Sequence, residues 1–95
     1  MSRAAHVTVD LSDVRDSNAL HSSLSVSLGF PGWYGYNWNA FWDAITGLVE
    51  MPEVLELKGW ALFCASQPGE AEMMKQCLDD MSDQYPQIAS RVIYS

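Results

Sequence analysis

With 95 residues, 48% of them hydrophobic, the chain has enough apolar material for one small core, too little length for a second domain, and a composition that excludes a disordered chain. Twelve Asp and Glu against five Lys and Arg give a net charge of −7, and Arg3, Arg15, Lys58, Lys75 and Arg91 are too dispersed to neutralise a run of phosphates. Direct nucleic-acid binding is therefore disfavoured, a basic protein would be attracted, and the absence of a leader, of ~18 consecutive apolar residues and of metal-spaced cysteines points to a cytoplasmic protein that does not enter a membrane.

Along the chain, His6–Leu11 alternates with Val7, Val9 and Leu11 on one side and predicts the first strand. Asp16 or Ser17 can cap a helix whose Leu20, Leu24 and Leu28 form a narrow apolar stripe. Ser22, Ser23, Ser25 and Ser27 are weak helix formers, so packing must hold this helix, with His21 as a boundary residue beside the stripe. Gly29-Phe30-Pro31-Gly32 ends it.

Residues 32–43 then place six of the chain's eleven aromatic residues in twelve positions. Asn37 or Asn39 can cap a helix running to about Thr46, with Gly47 breaking or bending it, and Trp38, Phe41, Ile45 and Leu48 share its core-facing side. Val54–Leu57 predicts a second strand, Trp60–Phe63 a short helix in preference to a strand, and Pro68–Met81 a helix burying Ala71, Met74, Leu78 and Met81. Tyr85-Pro86-Gln87 reads as a turn and Ala89–Tyr94 as a third strand. Strands separated by helices require crossovers, so the fold class is α/β: a small, at least partly parallel sheet with helices packed on it.

Nothing matches a dinucleotide or phosphate loop, a zinc-protease helix or a calcium loop, and His6 and His21 do not make a metal site. A serine nucleophile with His21 and Asp10 lacks the glycine-framed turn that would present it. Asp43 and Glu50, seven apart across Gly47, could pair as hydrolase carboxylates, although such spacing is common on surfaces. Cys64 and Cys77 read as small buried hydrophobes, not as a disulfide.

The more informative pattern is Asn39, Trp42, Asp43 and Thr46 at i, i+3, i+4 and i+7, a tryptophan among short polar groups on the second face of the aromatic helix. Trp33, Tyr34 and Tyr36 stand beside it between glycines, and large rigid aromatics of this kind are favoured at interface hot spots. Asp43 could form a charge-assisted bond with an arginine. Asp79, Asp80 and Asp83 oppose the dipole of the last helix, as a solvated run or as a site for a cationic partner.

The run Trp33-Tyr34-Gly35-Tyr36-Asn37-Trp38-Asn39-Ala40-Phe41-Trp42-Asp43-Ala44-Ile45-Thr46-Gly47, continuing through Glu50-Met51-Pro52 into Val54–Leu57, resembles the barstar family, intracellular inhibitors of secreted microbial ribonucleases. The resemblance extends over nearly the whole chain, with a poor match at 59–68. It implies a single barstar-like domain over 1–95, a three-stranded parallel sheet packed by helices, no catalysis and no cofactor or metal. The implied partner is a small, basic, guanyl-preferring microbial ribonuclease, bound 1:1 by an inhibitor that is monomeric when free. Asp43 would enter the enzyme's phosphate pocket in place of an RNA phosphate. Trp33 and Tyr34 would cover the pocket mouth, Gly35 would allow close backbone approach and Asn37 would fix the start of the helix. Trp42 and Thr46 would border the central acid, and Asn39, Gly47, Glu50 and Asp80 complete the partner-binding set.

The chain departs from the family pattern at Asn39, often an acid; at Asp80, often a glutamate; at Leu48, usually tryptophan; and at Ala44, in place of a core cysteine. The alternative is a barstar-like acidic module that recognises another basic protein without inhibiting a ribonuclease. A small hydrolase and a housekeeping interaction domain are further alternatives.

Overall fold

Alternating valines build the first strand, β1 (His6–Asp10), and an alternating pattern recurs in β2 (Val54–Lys58), with β3 (Arg91–Tyr94) completing the set. The computed structural model, which describes residues 3–95, pairs them into one parallel sheet of order β1-β2-β3; residues 1 and 2 of the expected domain lie outside the described residues. Val7, Leu55 and Val92 stand in register, as do Val9, Leu57 and Tyr94, and this set turns toward the core. The alternate set, with His6, Val54 and Arg91 in one row and Thr8, Glu56 and Ile93 in the next, faces solvent. Parallel sheets are commonly covered on both faces, whereas here one face packs and the other stays wet.

Parallel pairing needs long crossovers, and helices supply both. From β1 to β2 the chain runs through α1 (Ser17–Leu28) and α2 (Trp38–Asp43), the latter continuing directly into a π-helical turn (Ala44–Leu48). From β2 to β3 it runs through α3 (Trp60–Ser66) and α4 (Pro68–Gln84). The expected three-stranded parallel sheet packed by helices is therefore present.

Asp16 caps α1, accepting a 2.7 Å bond from the Ala19 amide, and Leu20, Leu24 and Leu28 are buried as their spacing predicts. Gly29 closes the helix in the left-handed region at φ 72°. At the end of β2, Gly59 has φ 75°, and a Cβ there would lie 3.0 Å from the Ser12 amide nitrogen, so conformation and space both demand glycine. Trp60–Phe63 is helical, as favoured, and the helix extends to Ser66. α4 buries Ala71, Met74, Leu78 and Met81 and runs past the predicted end at Met81. Ahead of β1, the Arg3 guanidinium donates to the carbonyls of Met51 (2.7 Å), Pro52 (2.9 Å) and Ala89 (3.1 Å), fastening the loop before β2 to the segment before β3. No helix among the described residues is long and apolar enough to cross a membrane.

Two sequence expectations are corrected. Leu48 does not join the core face of Phe41 and Ile45 but is 45% exposed, because the helix widens into the π turn. Its closing bond runs from the Val49 amide to the Ala44 carbonyl, five residues back, at 3.1 Å, so positions after Ile45 rotate off the 3.6-residue register. Met51 takes a buried position beyond the turn instead. His21 is not a boundary residue: it is 1% exposed, inside the aromatic cluster described next.

Candidate functional site

The aromatic loop has an inner and an outer side. On the inner side, Tyr34 is 7% exposed and packs on Phe30, and its hydroxyl meets His21 Nδ1 at 2.6 Å. The His21 ring lies 4.7 Å from Trp38 and 6.1 Å from Tyr36, centroid to centroid. Burial pushes the His21 pKa down, with Glu70 pulling weakly the other way, and burial pushes that of Tyr34 up. His21 Nε2 is buried without a hydrogen-bond partner. Neutral His21 can keep its proton on Nδ1 and donate it to the Tyr34 oxygen, leaving Nε2 an unpaired acceptor; protonation would turn it into a buried, unpaired donor.

Asn37 joins loop to helix. Its Oδ1 accepts from the Ala40 amide at 2.8 Å, the N-cap bond, while its Nδ2 donates to the Gly35 carbonyl at 3.0 Å. A Cβ on Gly35 would come within 3.3 Å of both Asn37 Nδ2 and Ala40 Cβ, so the loop packs tightly against the helix start. Between them Tyr36 adopts φ 52°, a left-handed conformation that a non-glycine residue holds only when its surroundings enforce it. Trp38 Nε1 donates to Glu70 Oε2 at 3.0 Å, which ties α2 to α4.

The outer side presents the remaining expected residues. Trp33 is 73% exposed; Asn39, Asp43, Gly47 and Glu50 are exposed; Trp42 and Thr46 are half-buried. The Thr46 hydroxyl donates to the Trp42 carbonyl at 2.6 Å and so braces the helix at the π turn. Asp80, half-buried on α4, accepts from Gln76 Nε2 at 2.9 Å. The ion pairs among the described residues are His6–Glu56 and Lys75–Asp79, so Asp43, Glu50 and Asp80 have no cationic partner among the described residues. The expected residues of the aromatic loop and α2 thus share one exposed neighbourhood, with Tyr34 as the exception because its ring supports the loop from below.

Tyr36, singled out with Trp33 as an interface aromatic, is 40% exposed, whereas the sequence pattern leaves out Tyr85, whose ring centroid lies 6.3 Å from that of Trp42. An aromatic residue between an acidic helix end and Pro86 was the available signal for Tyr85. The enzyme alternatives find little support. His21 bonds Tyr34, whereas Asp10 accepts from the Ser12 hydroxyl and amide, and the exposed Asp43 does not share the small cavity that Glu50 borders. Among the described residues no group of three or more His, Cys, Asp or Glu side chains could hold a metal. Cys64 and Cys77 are free thiols, and burial raises the pKa of Cys77, with Asp80 adding to the rise.

What this surface can do chemically is hold carboxylates, aromatic rings and amides in fixed positions against a cationic partner. The family model described as Barstar (barnase inhibitor) matches residues 4–94. A Bacillus subtilis (strain 168) protein named "Putative ribonuclease inhibitor YrdF" is 30% identical over 83 residues, covering 83% of this chain and 91% of that protein.

Proposed function

The chain belongs to the barstar family, and from that membership we propose that it blocks the active site of a small, basic, secreted ribonuclease by seating Asp43 where an RNA phosphate would bind. Ribonuclease inhibition is the family's activity, and the inhibitor itself catalyses nothing. The observation that carries the finer reading is Asp43 itself: exposed, in no ion pair among the described residues, and set on a helix whose start, loop and far end are all fastened. A carboxylate held this way enters a cationic pocket with little ordering to undergo on binding. It exchanges water for arginine and lysine donors of the enzyme, and charge-assisted bonds of that kind are the strong ones.

Around Asp43, exposed Trp33 and Tyr36 supply aromatic cover and Asn39 a neutral hydrogen-bonding group, while Trp42 borders the acid. The net charge of −7 steers a basic enzyme toward the inhibitor. Its free cysteines suit a reducing cytoplasm, where it would protect the producing cell from its own nuclease.

The test is titration of RNA hydrolysis by barnase and other small basic microbial ribonucleases, guanyl-preferring ones included, with calorimetric binding in parallel. Stoichiometric inhibition by the wild type that is lost in Asp43→Ala is the expected result. Undiminished binding of Asp43→Ala would overturn the phosphate mimicry. Tight binding with continued RNA cleavage would favour the acidic module that recognises basic proteins without inhibiting them.

A further inference from the structure

The apolar surface next to Asp43 does not end at α2. Tyr85 is 44% exposed beside Trp42, the two rings tilted by 45°, and Ile88 follows in the same turn at 43% exposed. Ile88 also walls a cavity of about 130 Å³ whose other sides are Ile45, Val49 and Met51, with Arg3 and Glu50 at its polar margin. A cavity of ~150 Å³ lined by aliphatic groups takes up benzene, so this volume suits one apolar side chain. The Arg3 guanidinium donates to three carbonyls, and among the described residues neither it nor Glu50 is in an ion pair.

The turn is rigid before any partner arrives. The Tyr85 amide donates to the Met81 carbonyl at 2.7 Å, and the Tyr85 carbonyl accepts from the amides of Ile88 and Ala89, both at 3.1 Å. Arg3 holds the Ala89 carbonyl from the other side. An apolar strip from Trp42 through Tyr85 to Ile88, with the Glu50 carboxylate at the cavity edge and in no ion pair among the described residues, has the anatomy of a binding patch: apolar centre, polar rim, fixed shape.

We propose that the turn after α4 forms, with Trp42, a second contact zone for the inhibited ribonuclease, one that receives an apolar side chain of the enzyme beside a cation that meets Glu50. This rests on the inhibitory reading above and deepens it: Asp43 occupies the catalytic pocket, while Tyr85 and Ile88 select among enzymes by what lies outside that pocket. Continuity with Trp42 and complementarity between a basic enzyme and the Glu50 carboxylate at the rim commit the patch to that partner.

The test uses the ribonuclease that the wild type inhibits most tightly in a panel including barnase. Tyr85→Ala is expected to weaken inhibition about tenfold. Ile88→Lys and Ile88→Glu separate contact from folding, since they disturb packing alike but carry opposite charge. With melting temperatures matched, the lysine variant should associate more slowly than the glutamate variant, with the gap closing at high salt. If Tyr85→Ala and both Ile88 variants inhibit like the wild type while Asp43→Ala fails, this second zone is refuted and the inhibitory reading stands. Equal losses in the lysine and glutamate variants would also refute it, as an effect of packing alone. A wild type that inhibits no member of the panel would overturn both readings.

Discussion

The solvent face of the sheet and the outer face of α2 both carry acids, and they treat them in opposite ways. On the sheet, Glu56 accepts from the Ser95 hydroxyl at 2.9 Å and contacts His6 Nε2 at 3.0 Å, and these two bonds hold its pKa below the usual carboxylate value. Asp10 is likewise held low by the hydroxyl and amide of Ser12. Around α2, Asp43 and Glu50 meet no cation among the described residues. Acids closed on their neighbours contribute a field, whereas acids left open on a braced helix contribute a site. The net charge therefore says little about where a basic partner would dock.

Asp43→Ala is the largest effect this contrast predicts. Removing one member of a buried interfacial charge pair costs about 2–5 kcal/mol, roughly a thirtyfold to several-thousandfold loss of inhibition by titration of RNA hydrolysis. A loss of only ~0–1 kcal/mol would place Asp43 at a solvated rim and erase the difference between the faces.

The next effect concerns the support beneath the loop. Burial lowers the pKa of native His21 from the ordinary 6.5, so on acidification the unfolded chain takes up this proton first. Stability from this group is complete above that value and declines as the pH falls from 6.5 toward the lower native pKa. Urea midpoints at about pH 7.5 and pH 5.5 should fall with acid in the wild type and fall less in His21→Gln, which removes the titrating group. Equal slopes would show that the buried side of the loop does not sense pH through His21. The smallest effect is at Asn39, exposed next to the open acid: Asn39→Asp should raise the association rate a few-fold at low salt and lose that gain as salt screens it.

Most of the fold was legible because local rules and tertiary packing agree. The Asp16 and Asn37 caps, the Leu20-Leu24-Leu28 stripe and the alternation of Val7 and Val9 each state their own geometry. Leu48 was misplaced because a π turn changes the period that the pattern assumes. The exposure of Asp43 beside Trp42 followed from helical spacing, but the division of the aromatic loop did not. Tyr34 goes inward because it meets His21, a contact thirteen residues apart in sequence, and Tyr85 joins Trp42 from a separate element. Such pairings arise from the packing of α1, α2 and α4 and leave no periodic signal.

The most direct measurement compares Asp43→Asn with Glu56→Gln, each removing one unit from the same net charge of −7. Both variants, with the wild type, are titrated against the tightest-bound ribonuclease at one ionic strength. The predicted result is an inhibition constant at least ~30 times weaker for Asp43→Asn and within about twofold of the wild type for Glu56→Gln. Equal losses in the two variants would contradict the claim, because inhibition would then follow total charge and not the open carboxylate on α2.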